Sequence, residues 1–175
     1  MVNTHGHGDH VWGNVAYREA FPGVVFVGHA DLDQELEGEG VERLREERER
    51  VDVVVEARLR ALAEAERGAG DPAAGEEEIA RLRWSLRVNR GYREDLVDLP
   101  LIPPDMEVED PLTLDLGGRE VRVLALGPAH TRTDAVVWLP EEEIVASGDL
   151  VEEGIPWFGD AHPRGWAEAL GVLAA

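Results

Sequence analysis

The sequence predicts an α/β (α+β) domain that carries an inserted helical hairpin. Short apolar runs rich in β-branched residues occur at positions 24–27 and four times between positions 112 and 146, and they predict buried strands. The last four are predicted to form two hairpins, 112–126 with its turn at Gly117-Gly118 and 135–146 with its turn at 140–143. A highly charged stretch separates them, and its apolar residues recur every three, four and seven positions, as in amphipathic helices. A chain of 175 residues is expected to form one domain and to bury roughly 70% of its unfolded surface.

The composition excludes several partners. The 37 acidic and 17 basic residues give a formal charge of −20, which repels phosphate backbones and anionic membranes. We therefore predict a small-molecule substrate, with neither nucleic acid nor a membrane as partner. The absence of cysteine excludes disulfides and thiolate chemistry. No apolar run approaches the roughly 20 residues that span a bilayer, and no signal-peptide pattern is present, so a cytoplasmic location is expected; a missing N-terminal segment would change this.

The densest group of potential metal ligands is the stretch Asn-Thr-His-Gly-His-Gly-Asp-His at positions 3–10. Imidazoles and carboxylates are ligands that suit zinc. If residues 2–5 end a strand, then His5, His7 and Asp9 project to the same side. The alternative is a histidine-rich tag that binds metals loosely; the interleaved glycines and the matching partners downstream argue against it.

A helix from Val11 to Ala20 is predicted to follow, with Asp9 as its N-cap and His10 in its first turn, turned back toward the site. The run 24–27 is then read as a strand, and His29 directly follows it. A histidine at a strand end is expected to be hydrogen-bonded rather than to bind metal.

The stretch His5-Gly6-His7-Gly8-Asp9-His10 resembles the His-x-His-x-Asp-His signature of the metallo-β-lactamase-fold hydrolases. In that family the signature supplies ligands to two adjacent metals, and a later histidine and aspartate complete most of the site. The resemblance implies a single but incomplete domain over residues 1–175, a partial αββα sandwich with the helical insertion at 38–95.

Both later ligands have candidates. His130 lies just past a predicted strand at 121–126, and Asp149 ends the run Ser-Gly-Asp after a predicted strand at 144–146. The resemblance implies that one metal is held by three histidines, which are His5, His7 and His130. It also implies that the second metal is held by Asp9 and His10, and that Asp149 bridges the two metals.

The resemblance implies two zinc ions and a shared hydroxide as nucleophile, with Asp9 as the catalytic residue that orients it; iron and manganese remain alternatives. Esters, thioesters and lactones are the expected substrates. A β-lactam is disfavoured, because the chain lacks the cysteine ligand of one group of β-lactamases and a bridging Asp149 does not fit the others. Two alternatives stay open, a mononuclear iron enzyme similar to persulfide dioxygenases and a non-catalytic metal-binding remnant.

The sequence departs from the family pattern in lacking the histidine of a C-terminal Gly-His-Gly. This predicts truncation at both ends and weaker binding of the second metal. Missing strands also predict an exposed sheet edge, or a homodimer that covers it.

Two further regions are assigned provisional roles. In the loop 155–163, Trp157 and His162 are candidates for substrate contact, and a helix is expected over 165–173. The predicted hairpin has one helix ending near Gly68 and a second from Asp71-Pro72 to Gly91, and it is expected to cover or line the mouth of the site. Its arginines are read as a solvated face or, alternatively, as a contact for an anionic substrate; they are Arg81, Arg83, Arg87, Arg90 and Arg93.

Overall fold

The computed structural model describes residues 1–68 and 72–174. The chain divides into two compact units, one formed by Met1–Val41 with Pro100–Ala175 and the other by Glu42–Leu99. Among the described residues, no helix combines the length and hydropathy that crossing a bilayer requires.

The first unit contains short helices and six strands. Its helices are α1 (Gly8–Val11), α2 (Asn14–Ala20), α3 (Leu32–Glu35), a π-helical turn (Leu36–Gly40), a 3-10 turn (Gly148–Leu150) and α6 (Pro163–Leu173). Its strands are β1 (Val27–His29), β2 (Met106–Val108), β3 (Leu112–Asp115), β4 (Glu120–Ala125), β5 (Ala135–Leu139) and β6 (Ile144–Ala146). The second unit is built from α4 (Val41–Arg67) and α5 (Pro72–Leu96).

Strands β3 to β6 form an antiparallel meander in chain order. The turn between β3 and β4 contains Gly117 and Gly118, whose φ angles of 74° and 93° are open to glycine and rarely to other residues. Val121 and Val123 of β4 face the core, whereas the guanidinium of Arg122 lies over the Trp138 ring, 4.9 Å from its centroid. The hairpins predicted for residues 112–126 and 135–146 are therefore present.

The strand predicted at 24–27 is wrong, because β1 begins only at Val27 and pairs in parallel with β2. Phe26 is fully buried, but its backbone does not take part in a regular strand ladder. Its N–H donates to the Asp105 side chain, and its carbonyl accepts from the N–H groups of Asp105 and Met106. The predicted strand end at 2–5 is reduced to one bridge between Val2 and Val27. Strand β2 has one buried residue in three, so it carries no apolar run that predicts it.

The single helix predicted from Val11 to Ala20 is also wrong. Two helices occur instead, separated at Trp12 and Gly13, and His7 rather than Asp9 is the N-cap of the first. The side chain of Asn14 is buried and exchanges two hydrogen bonds with Asn3, at 2.9 and 3.0 Å. This amide pair joins the start of α2 to the segment that carries the histidine motif.

In the second unit, α4 and α5 run antiparallel. Arg48 donates to the carbonyl of Leu96 at 2.7 Å and Arg83 pairs with Glu66 at 2.7 Å, so the two ends of the pair are both connected. Helix α5 continues through Gly91 to Leu96, whereas the sequence predicted its end at Gly91. The predicted cap Asp71 lies outside the described residues, and cover of the site mouth by this pair stays a prediction.

Asp105 connects the two parts of the first unit and makes its stability depend on pH. Its pKa is lowered from 3.8, chiefly by the hydrogen bond from the Phe26 N–H and further by Arg18. A carboxyl with a lowered folded-state pKa stabilises the fold above its unfolded pKa, and that contribution is lost as the pH falls through the folded value. We expect Asp105→Asn to lower the melting temperature at pH 7. The two melting temperatures should converge as the pH is lowered below 3.8; a constant difference from pH 7 to 3 would contradict this.

Candidate metal centre

Three separate parts of the first unit meet at one point. His5 and His7 precede α1, His130 lies in the loop between β4 and β5, and Asp149 lies in the 3-10 turn after β6. One ligand atom from each of these four residues lies within 4.8 Å of all the others. Residues more than a hundred positions apart are therefore gathered into one group of potential ligands.

The spacing of these atoms suits a tetrahedral ion. His7 Nδ1 lies 3.1 Å from His5 Nε2 and 3.2 Å from His130 Nε2. Asp149 Oδ2 lies 3.7 Å from His5 Nε2 and 3.6 Å from His130 Nε2. A tetrahedral zinc with bonds of roughly 2.0–2.1 Å has ligand atoms about 3.3 Å apart. Three imidazoles and a carboxylate at these separations fit zinc in geometry and in donor chemistry.

The Thr4 side chain orients two of the histidines. Its Oγ1 lies 3.2 Å from the Nδ1 atoms of both His5 and His10, which leaves the Nε2 atom of each ring directed toward Asp149. Gly148 packs directly against Thr4, since a Cβ at this glycine would lie 2.8 Å from the threonine side chain, and its φ is +54°. The residue before Asp149 must therefore be glycine for the carboxylate to reach the histidines.

His7 has a carboxylate partner that the sequence did not predict. Asp160 lies 3.1 and 3.2 Å from His7 Nε2 through its two oxygens, while His7 Nδ1 faces the other ligands. A carboxylate on the outer nitrogen fixes the tautomer and orientation of a metal-binding imidazole. Trp157 stands beside the same ring at 5.1 Å between centroids. Asp160 lies in an irregular loop with no repeating pattern, so no sequence signal marked it.

His130 is held by its loop and by packing. Asp134 accepts hydrogen bonds from the N–H groups of Thr131 and Ala129, at 2.7 and 3.2 Å, and burial raises the pKa of this carboxyl against the effect of those bonds. The His130 ring packs edge-on against Trp166, with centroids 5.2 Å apart. Its Nδ1 is buried without a hydrogen-bond partner among the described residues, so the ring is oriented by this packing and by the approach of its Nε2 to His7 Nδ1 at 3.2 Å.

The remaining ligands predicted from the motif lie on the other side of Asp149. His10 Nε2 is 3.2 Å from Asp149 Oδ1, and Asp9 Oδ2 is 3.6 Å from His10 Nε2. The two oxygens of Asp149 thus face different histidines. Asp9 is 80% exposed, and its position beside His10 leaves its carboxylate open to solvent.

Of the other residues predicted from the sequence, one borders the four potential ligands and two do not. Trp157 borders the ligands, as described above, and is 57% exposed. His162 is the N-cap residue of α6, and its N–H donates to Ala129 at 2.7 Å. Its imidazole makes no hydrogen bond, ion pair or ring contact with the four ligands in the described part of the chain. His29 ends β1 and its Nδ1 accepts a hydrogen bond from Asp31 at 3.0 Å, in agreement with the structural role predicted for it.

Comparison with known proteins identifies the family. A family model described as the metallo-beta-lactamase superfamily matches residues 1–174. The chain belongs to this superfamily. The predicted family and fold class are therefore confirmed.

Individual members of the superfamily match at different levels. The metallo-beta-lactamase type 2 of Pseudomonas aeruginosa is 34% identical over 55 residues, which cover 31% of this chain and 22% of that protein. The crystal structure of metallo-beta-lactamase IND-7 aligns with 99% of this chain and 53% of its own, at 15% identity and a TM-score of 0.55. The metallo-beta-lactamase from Pontibacter korlensis aligns over 98% and 53%, at 20% identity and a TM-score of 0.50. The chain thus spans about half the length of these solved relatives and a smaller share of the curated one.

The contact between Asp160 and His7 leads to a prediction for metal binding. Asp160→Asn is expected to lower zinc affinity by roughly 10-fold or more, because an amide holds the imidazole less firmly than a carboxylate. Competition with a chromophoric chelator measures the affinity. Glu153→Gln removes the same charge from an exposed position in the same loop and should leave it unchanged. Equal losses in both variants would assign the effect to net charge instead.

Proposed function

We propose that this chain forms the core of a zinc-dependent hydrolase that cleaves an ester, thioester or lactone. The observation that carries the proposal is the convergence of His5, His7, His130 and Asp149 within 4.8 Å. These residues would hold the first ion, and His10, Asp9 and the second oxygen of Asp149 offer donors for another. The chemistry that zinc supplies when bound is a water with a pKa lowered to about 7 and a polarised substrate carbonyl.

The surrounding residues have roles in the same reaction. Asp9 is exposed beside His10, so its carboxylate is free to accept a hydrogen bond from the attacking water and to orient it. Asp160 and Thr4 hold His7, His5 and His10 in fixed orientations. The indole of Trp157 forms an apolar wall next to His7, where it would contact the acyl part of a substrate and limit access of bulk water.

The partners proposed for this site follow from charge and from the sheet edge. A formal charge of −20 supports a small-molecule substrate and argues against a polyanion. Strand β6 is terminal in the described meander, and Ile144 and Val145 are 54% and 41% exposed. An uncovered apolar edge of this kind supports the proposal of a homodimer. A cytoplasmic location also stays a proposal.

The test combines metal analysis with a substrate panel. The protein is stripped with a chelator, reloaded with zinc, iron or manganese, and assayed on an aryl ester, an aryl thioester, a γ-lactone and a chromogenic β-lactam. We expect zinc to bind and to restore hydrolysis of at least one of the first three substrates. One iron per chain with oxygen consumption on a persulfide would favour the dioxygenase-like alternative. Stoichiometric metal without turnover of any substrate would contradict the proposed hydrolase and favour the remnant.

A further inference from the structure

A buried carboxylate lies between the two chain segments that carry the histidines. Glu35 is the last residue of α3 and is 1% exposed. Burying a carboxylate is strongly unfavourable unless hydrogen bonds replace its water, so its position requires specific partners. Glu35 belongs neither to the histidine motif nor to the four potential metal ligands, so its burial needs another explanation.

The first partner belongs to the His130 segment. Thr133 is fully buried, and its Oγ1 donates a hydrogen bond of 2.8 Å to Glu35 Oε2. The Thr133 N–H donates in turn to Thr131 Oγ1 at 3.1 Å. Glu35 is therefore joined to the loop that orients His130, three residues from the ligand itself.

The second contact is with the motif. A Cβ built on Gly6 would lie 2.4 Å from Glu35 Oε1 and 2.7 Å from its Cδ. The carboxylate thus packs directly on the backbone between His5 and His7, and only glycine leaves room for it. One side chain touches both ligand-bearing segments.

The backbone around Glu35 supports this placement. The π-helical turn Leu36–Gly40 begins directly after it, and such turns are rare and are found frequently at functional sites. The same stretch is also joined to the His130 loop at its surface, because Arg132 lies 3.3 Å from Gln34 and 3.4 Å from Glu39. Glu35 is the buried centre of this contact.

We propose that Glu35, through Thr133 and Gly6, is a positioning residue that sets the separation of the His5–His7 segment from His130 and thereby the affinity for metal. The inference rests on the metal centre of the proposed function, but its readouts do not require turnover. A change in this separation alters the tetrahedron that three imidazoles can form, so affinity and ligand field should change together.

The test uses Thr133→Val, which removes the hydroxyl at nearly constant volume, with Thr133→Ser as the conservative rescue. Thr113→Val makes the same change at an exposed position on β3 and serves as the matched control. Two quantities are measured on each folded protein. The first is amide hydrogen exchange at residues 5–8 and 129–134 without metal, and the second is Co²⁺ affinity together with the visible absorption spectrum of bound Co²⁺.

We expect Thr133→Val to speed exchange in both segments by about tenfold, since one buried hydrogen bond is lost. Co²⁺ affinity should fall by about tenfold, with a shifted absorption spectrum. Thr133→Ser should restore both, and Thr113→Val should change neither. Gly6→Ala, which drives the carboxylate away, should produce the same spectral shift.

Unchanged exchange in both segments and an unchanged Co²⁺ spectrum for folded Thr133→Val would overturn the inference. A general loss of stability, with exchange accelerated equally in β4 and β5, would also overturn it. A parent protein that binds Co²⁺ but hydrolyses no substrate contradicts the proposed function alone, and the positioning role is still decided by these two measurements. If the unmodified protein binds no Co²⁺, the proposed effect of Glu35 on metal affinity is overturned.

Discussion

Replacing His130 with alanine is expected to reduce zinc affinity by more than roughly 100-fold, beyond the loss caused by changing an outer partner of a ligand. Its Nε2 lies 3.2 Å from His7 Nδ1 and 3.6 Å from Asp149 Oδ2, so the change removes one of the three imidazoles of the proposed centre. Hydrolysis should fall with metal occupancy. The dissociation constant is measured by chelator competition, and activity is measured at saturating zinc.

His29→Ala is the matched control for this change. His29 is the histidine at the end of β1 whose Nδ1 bonds the Asp31 N–H, and it contributes nothing to the ligand cluster. Zinc affinity of this variant should equal that of the parent. Parent-like affinity in the His130 variant, or an equal loss in both variants, would contradict the assignment of His130 as a ligand.

Replacing Trp166 with alanine is expected to produce the largest loss of stability, about 3–5 kcal/mol in the free energy of unfolding. Trp166 is 6% exposed, packs in a core with Ala129, Val136, Leu150 and Ala169, and donates from Nε1 to the Leu150 carbonyl at 3.0 Å. Its ring also supports His130. Zinc affinity should therefore fall in the fraction that remains folded. Urea unfolding of the metal-free protein measures the change in the free energy of unfolding separately from the change in zinc affinity.

The control for this prediction is Trp84→Ala on α5. Trp84 is 59% exposed, so its removal should change the free energy of unfolding by no more than about 0.5 kcal/mol. If the Trp166 variant lost less than about 1 kcal/mol in the free energy of unfolding, as an ordinary surface change does, the packing described for α6 would be contradicted.

Features of the fold with a strong local pattern could be predicted from the sequence. The glycine pair at 117–118 between alternating apolar residues predicted the β3–β4 hairpin, and the apolar stripe predicted α4. Elements that depend on distant partners could not be predicted. Strand β2 pairs with β1 directly after Asp105, whose side chain accepts a hydrogen bond from the Phe26 N–H, and the start of α2 carries Asn14, which pairs with the distant Asn3.

The candidate site shows the same division. His5, His7, His130 and Asp149 could be found because the motif and two strand ends each carry a local signal. Asp160 and Glu35 could not, since each acts only through a histidine or glycine that lies far away in sequence. A glutamate in a charged helical stretch is usually exposed, and nothing local distinguishes Glu35 from Glu37 or Glu39 as the buried one.

The most direct test of the metal centre is anomalous diffraction at the zinc absorption edge from crystals grown with zinc. The proposed centre predicts a peak within about 2.0–2.3 Å of His5 Nε2, His7 Nδ1 and His130 Nε2, with Asp149 as the next ligand. Anomalous density confined to surface carboxylates, with none among these three imidazoles at full zinc saturation, would contradict it.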